Sequence, residues 1–284
     1  MTLTVASRDL SVIIPASGEE ATIGSILTEV EKLQPREIIV IVNGSHDGTA
    51  EIVRNRGHRL VEFSERLGHD VGRSVGASIA SGRILLFLDA DIVIRVADLE
   101  PFVGAIESGY DVALNDIDLI VSRYPWDPVS IQKIWLNVCL NRHGLQTASL
   151  TAVPHALSRN VFRYIKPEDL TVPPKAYAKL LMAPVRISKA HSVDVVTTNK
   201  IHPWHGIHEG RDVMAELIVG DHLEALEWFK RSVVSGVTRG RDEVFRPDAS
   251  EPGKSQADPV DVGSNGSIGR VAAMLWHWLT HIPG

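Results

Sequence analysis

The first 120 residues alternate short apolar runs with helical stripes. Ser11-Val12-Ile13-Ile14-Pro15 has the continuous apolar character of a strand covered on both faces. Ile23, Ile26, Leu27, Val30 and Leu33 then recur at helical spacing and form one stripe. Glu37-Ile38-Ile39-Val40-Ile41-Val42 reads as a second strand, and Asn43-Gly44-Ser45 turns the chain. Asp47-Gly48-Thr49 opens a helix carrying Ile52 and Val53, with Ser45 as its expected N-cap. Val61-Glu62-Phe63 is a short third strand. Residues 72–81 are helix-compatible but rich in Gly, Ala and Ser, a composition that lets a helix pack its backbone close to a neighbour. Ile84-Leu85-Leu86-Phe87-Leu88 is the strongest strand of the chain and runs directly into Asp89-Ala90-Asp91. A helix over 98–107 and a strand near 111–114 complete the series. The alternation predicts an α/β fold, a mostly parallel central sheet flanked by helices, with a ligand crevice at the carboxyl ends of the strands.

Beyond residue 120 the periodicities weaken. Residues 145–159 mix both patterns, Pro173-Pro174 interrupts the chain ahead of a helical stretch at 176–182, and 193–196 reads as a strand. Val213, Leu217, Leu223, Leu226, Trp228 and Phe229 make 212–231 an amphipathic helix. From 246 to 266 the composition shifts to Pro, Gly, Ser and Asp, the signature of a mobile linker. Residues 268–282 are apolar enough to dock as a terminal helix on the core or a partner. The expected organisation is therefore 1–120, 121–245 as the other half of the same domain, and 246–284 as linker and terminal helix.

Composition narrows the classes. A net charge of −6 with no block of like charges gives no electrostatic footprint for nucleic acid. The single cysteine, Cys139, excludes an internal disulfide and a cysteine zinc cage. No charged segment followed by an apolar run opens the chain, and no stretch approaches the ~20 apolar residues of a membrane span. These features read as a cytoplasmic enzyme. A homodimer stays open, and membrane association through the terminal segment is the weaker reading because basic residues there are few.

Candidate chemistry falls at four strand ends: Pro15-Ala16-Ser17-Gly18-Glu19-Glu20, then Asn43 to Thr49, then Gly68-His69-Asp70-Val71-Gly72-Arg73, then Asp89-Ala90-Asp91. Each alone is a common turn. No Gly-x-Gly-x-x-Gly turn follows the first strand, which argues against a dinucleotide-binding domain, and no Gly-x-x-x-x-Gly-Lys-Ser/Thr loop occurs, which removes a P-loop NTPase.

Their order and spacing together resemble glycosyltransferase family 2, over roughly residues 9 to 120. Members begin with a strand and Pro-Ala-x-Asn-Glu-Glu, followed by Asp-x-Gly-Ser-x-Asp-Gly-Thr, a Gly-rich Ala-Arg-Asn segment, and a strand ending in Asp-x-Asp. The resemblance implies a GT-A fold, a nucleotide-diphosphate-sugar donor, and Mn2+ or Mg2+ as cofactor. A leaving diphosphate develops negative charge that a hard cation held by carboxylates can neutralise. On the resemblance, Asp91 ligates the metal and Asp89 contacts the ribose or orients the site. Pro15, Ala16 and Glu19 line the base and ribose pocket, and Ser17, Ser45, Ala90 and Lys200 belong to the same donor set. Arg73 falls at the family's frequent Arg and would contact nucleotide or diphosphate, while His69 stands where some relatives carry Lys. Asn43 replaces the family's base-binding Asp. An amide both donates and accepts where a carboxylate only accepts, so the nucleobase is left unassigned.

The acceptor side is implied more loosely. Glu168-Asp169 is the pair that would supply a catalytic base, Asp169, and His155 falls in an acceptor-side loop. The segment 197–205 is similar to a late loop of the glucosyl-3-phosphoglycerate synthases, with Lys200 toward the diphosphate and His202 near a metal-ligand position. The acceptor is expected to be a small molecule or a lipid-linked hydroxyl compound. Three alternatives stand beside an inverting transferase. One is a retaining transferase of the glucosyl-3-phosphoglycerate synthase type, which needs no strong base on the acceptor. Another is a sugar-phosphate nucleotidylyltransferase, disfavoured because Pro15 to Glu20 carry no Arg or Lys. The last is a nucleotide-sugar-binding protein without catalysis, against which Asp89 and Asp91 argue.

Overall fold

The computed structural model describes residues 8–122, 125–196, 207–208 and 211–234. Residues Met1–Ser235 form one compact unit, and a second, Gly236–Gly284, lies outside the described residues together with the linker and terminal helix expected at 246–284.

Strands β1 (Arg8–Ala16), β2 (Pro35–Asn43), β3 (Arg59–Phe63) and β4 (Ile84–Phe87) alternate with helices α1 (Ile23–Glu31), α2 (Thr49–Asn55) and α3 (Val71–Ile79). Then come α4 (Val96–Glu107), β5 (Val112–Asn115), the short α5 (Asp118–Val121), α6 (Pro128–Cys139), β6 (His155–Ser158), α7 (Pro173–Leu181) and β7 (Ile187–His191). A two-stranded ribbon, β8 (Ile207–His208) and β9 (Arg211–Asp212), leads into α8 (Val213–Val234). The main sheet has the order β3-β2-β1-β4-β6-β5-β7. Strand β6 runs antiparallel to β4 and β5, and the remaining pairs are parallel.

Alternation along the strands divides the core between the two faces of the sheet. Val12 and Ile14 of β1 join Ile26 and Leu27 of α1 and Phe102 of α4 on one face. Ile13, Leu85 and Phe87 join Leu136 of α6, Tyr177 of α7 and Ala225 of α8 on the other. Helix α3 packs close to this second face, as its small residues predict: a Cβ on Gly76 would stand 2.3 Å from Ile13 Cγ2. Strand order reverses between β1 and β4, which opens a crevice at their carboxyl ends.

Several expectations are corrected. The strand expected at 193–196 lies earlier, as β7, because the Val193 N–H is taken by Asn115 Oδ1 at 2.9 Å instead of by a ladder partner. Pro173-Pro174 opens α7 and does not merely precede it, since proline at the first helical position has no N–H to lose. Ser45 does not cap α2, whose N-cap is Gly48. Helix α6 has a weak apolar stripe, interrupted by buried Ser130, Lys133 and Asn137, and pattern alone misses it. Among the described residues no helix is long and apolar enough to cross a membrane.

Candidate active site

Two loops meet at the ends of β1 and β2 and are laced together by side-chain hydrogen bonds. Ser45 Oγ accepts from Gly18 N at 3.0 Å, Thr49 Oγ1 from Glu19 N at 2.9 Å, and Asp47 Oδ2 from Glu20 N at 3.0 Å. Glu20 returns the contact by accepting from Gly48 N at 3.1 Å. Burial pushes the Asp47 carboxyl up, but hydrogen bonds from Ser45 and Thr49 and from backbone N–H groups outweigh it and hold the group down at about 2. The lacing keeps Ser17 and Glu19 in place beside the strand ends.

Between these loops and the end of β4 lies an open cleft. Pro15 and Ala16 line it from the end of β1, Ser17 and Glu19 from the loop that follows, and Asp89, Ala90 and Asp91 from the β4 loop. Asn43, His69 and Arg73 of the expected donor set line it too, joined by Arg66 and Gly68, whereas Ser45 is not part of the lining. Gly72 allows this closeness, because a Cβ there would fall 2.8 Å from Pro15 Cβ. Thr22 Oγ1 donates to Ala90 O at 2.7 Å and so ties the Asp89-Ala90-Asp91 turn to the start of α1.

Arg73 is only 3% exposed and is clamped by two carboxylates. Its Nη1 lies 2.6 Å from Asp70 Oδ1 and its Nη2 donates to Asp89 Oδ1 at 3.0 Å. Burial works against the charge on Arg73, but Asp70 and Asp89 outweigh it and raise the guanidinium further above its ordinary range. The same pairing acts on Asp89: burial pushes its carboxyl up, and Arg73, with His69 and His155, more than offsets this and holds it low. Arg73 therefore orients an ionised Asp89, with both arms of its guanidinium engaged within the protein.

Asn43, 7% exposed, is engaged as well. Its Nδ2 donates to Gly68 O at 2.8 Å and its Oδ1 accepts from Leu67 N at 2.9 Å. Arg66 and Gly68 are the cleft residues that pattern reading missed or left without a role. Their signal is faint: a cation and a glycine between strand and helix, with Gly68 at φ +127°.

The acceptor-side candidates stand apart from the cleft lining. His155 opens β6, is 1% exposed, and stacks on Phe87 with ring centroids 4.9 Å apart. Its Nδ1 donates to Ala152 O at 3.0 Å, and its Nε2 is buried without a hydrogen-bond partner. Burial, reinforced by Arg73, pushes the imidazole down to about 3, so it is neutral. Asp169 caps the 3-10 turn Pro167–Thr171, accepting from Lys166 N at 2.9 Å and from Lys179 Nζ at 2.5 Å. Lys200 and His202 lie outside the described residues. Among the described residues no group of three or more His, Cys, Asp or Glu is gathered to hold a metal ion.

Comparison with known proteins agrees with this layout. The dolichyl-phosphate hexose transferase of Haloferax volcanii is 32% identical over 109 residues, 38% of this chain and 47% of that protein. The glucosyl-3-phosphoglycerate synthase of Mycobacterium tuberculosis is 26% identical over 218 residues, 72% of this chain and 60% of that protein. The chain thus spans about half the length of the curated relatives it matches. A crystal structure of the same M. tuberculosis synthase with uridine diphosphate superposes with a TM-score of 0.57 at 19% identity, covering 78% of this chain and 80% of that one. That likeness establishes a shared GT-A fold. The family model "Glycosyl transferase family 2" matches residues 11–165, more than half of the sequence and every described element of the cleft, and the chain belongs to that family.

Proposed function

We propose that this chain transfers a sugar from a nucleotide-diphosphate sugar to a hydroxyl acceptor, with Mn2+ or Mg2+ at the donor site. The observation that carries the reading is the cleft at the strand-order reversal, where Asp91 lines the wall and Arg73 holds Asp89 ionised beside it. The donor set suits a hard cation. Mg2+ is commonly held by one or two carboxylates together with substrate phosphates, and that arrangement needs no three-ligand cage in the protein. Asp91 would hold the cation, which when bound supplies charge neutralisation for the departing diphosphate. Support comes from the M. tuberculosis glucosyl-3-phosphoglycerate synthase, solved with Mn2+, uridine-diphosphate-glucose and phosphoglyceric acid.

The protein's own groups do the positioning. Pro15, Ala16 and Glu19 flank the nucleoside, the laced loops keep that flank rigid, and Asp89 faces the ribose with its charge fixed by Arg73. For the acceptor, one observation favours the retaining reading. Asp169 is engaged by Lys179 and the Lys166 backbone, and His155 is buried beneath the sheet end. Neither of these two candidate bases lines the cleft, and a retaining transfer needs no strong base on the acceptor. The acceptor is a small molecule or a lipid-linked hydroxyl compound.

The test is a thermal-shift screen of UDP-, GDP-, ADP- and TDP-sugars with and without manganese. At a nucleotide sugar concentration a hundredfold over Kd, stabilisation of about 2.7 kcal/mol is expected, and larger with metal than without. A melting temperature unmoved by every nucleotide sinks the donor-site reading.

A further inference from the structure

We propose that Asn43 is a positioning residue, whose carboxamide bolts the β3–α3 loop to the end of β2 and thereby sets the donor-cleft wall made by Arg66, Gly68 and His69. The inference rests on the donor reading above but concerns a separate property, the fixing of the loop.

Both halves of the Asn43 amide are used on consecutive backbone groups. Oδ1 takes the Leu67 N–H at 2.9 Å, and Nδ2 gives to the Gly68 carbonyl at 2.8 Å. The pair also fixes the amide's orientation, since a flipped side chain would set NH2 against N–H and C=O against C=O. The next residue makes a second fastening. Gly44 has φ +65°, and a Cβ there would stand 2.8 Å from Arg66 N. The backbone of the loop can approach β2 this closely only because position 44 has no side chain. Asn43-Gly44 is thus a two-residue clamp on Arg66-Leu67-Gly68, and two of those three residues line the cleft.

The chemistry makes the amide specific. A carboxylate at position 43 could still accept from Leu67 N, but it would face the Gly68 carbonyl with an oxygen and repel it. Only when protonated would a carboxyl group again offer one donor and one acceptor. Asn43→Asp, the change that would bring this chain closer to the family pattern, should therefore loosen the wall and weaken donor binding at neutral pH.

The experiment compares wild type, Asn43→Asp and Asn43→Ala by calorimetry with UDP, GDP and ADP in the presence of Mn2+, and by amide hydrogen exchange at Leu67. Both variants are expected to bind the preferred nucleotide roughly tenfold more weakly at about pH 8, with faster exchange at Leu67 and an unchanged order of nucleotide preference. Lowering the pH toward about 4, where an aspartate carboxyl is substantially protonated, should raise Leu67 protection in Asn43→Asp but not in Asn43→Ala. The cleft's other titratable groups, Glu19, Arg66, His69, Arg73, Asp89 and Asp91, are common to all three proteins and cancel in that comparison. A change of nucleotide preference with Leu67 still protected would make Asn43 a base reader and overturn the proposal, as would unaltered affinity and exchange in both variants. If wild type binds no nucleotide, the donor reading falls, and Leu67 exchange alone decides whether the clamp exists.

Discussion

The loops after β1, β2 and β4 and the segments after β5 use their polar residues in opposite ways. In the first region, carboxylates and amides stand on turns that directly follow parallel strands. Most of their hydrogen bonds join one loop to another: Ser45 to Gly18, Thr49 to Glu19, Asn43 to Leu67 and Gly68. The lattice leaves a cleft with Asp91 in its wall. In the second region, comparable groups are consumed in holding the chain together. Asn115 bonds Val153 O and Val193 O, Asn137 bonds Gln146 O and Ala148 O while receiving the Tyr177 hydroxyl, and Asp169 pairs with Lys179. A parallel sheet delivers a ligand site as a by-product of its topology. An irregular segment must first satisfy its own backbone.

The hardest blow to this contrast would be a cleft carboxylate that turns out to be dispensable. Asp91→Ala is expected to lower metal-dependent turnover on the order of a thousandfold while leaving the melting temperature nearly unchanged, because Asp91 sits at the cleft wall and outside the apolar core. Full turnover with manganese would remove Asp91 from the site. Arg73→Met should act differently, on stability as well as function. It strips the cation from Asp70 and Asp89, and breaking such a buried pair costs about 3 kcal/mol or more, readable as a fall in the urea midpoint. A variant as stable as wild type would show that Arg73 serves the ligand and not Asp89.

The same contrast explains what the sequence made legible. Strands β1, β2 and β4 are continuous apolar runs, so their ends, and hence the cleft residues, could be numbered before any coordinates. Arg66 escaped because a loop cation has no periodicity to mark it. Ser45 was expected at a helix cap and the donor site, yet its hydroxyl donates to Asp47 and its lone pair serves Gly18, a choice set by the tertiary meeting of two loops. Helix α6 hid behind buried Ser130, Lys133 and Asn137, which spoil its stripe. Asp169 reads in the sequence as half of an acidic pair, and nothing local announces Lys179, ten residues on, as its partner.

Asp169→Asn tests that last point. With the carboxylate serving a turn and a lysine, its replacement should cost about 1–2 kcal/mol of stability and less than tenfold in turnover. A thousandfold loss of turnover with stability intact would restore Asp169 as the base. A pH titration of stability probes the second region further. His155 is held down to about 3 and His222 to about 4, each first by burial, whereas unfolded imidazoles titrate near about 6.5. Between those limits the unfolded chain binds protons that the folded one refuses, so stability falls as pH drops below about 6.5. Asp221, raised to about 6 by burial and by Asp70 and Glu224, contributes with the opposite sign. Two imidazoles against one carboxyl leave a net loss of stability toward acid. His155→Gln and His222→Gln should each flatten the decline, and a slope unchanged in the double variant would mean that neither imidazole is buried neutral.

The smallest expected effect belongs to Ser45→Ala. The hydroxyl joins the exposed Gly18 N–H to Asp47, so water can replace much of what is lost, and the cost should stay under about 1 kcal/mol. Asp47 keeps its bonds from Thr49 and Glu20 N and should remain ionised. Loosening one lace of several lets the β1 loop drift slightly, which raises the donor KM by roughly threefold with kcat unaltered. The value of the measurement lies in its size. A strut between loops predicts this modest, binding-only change, whereas a hydroxyl in contact with the nucleotide predicts a loss nearer a hundredfold. The larger loss would move Ser45 from the scaffold of the cleft into its wall, and would show that a loop laced for rigidity can also read the ligand.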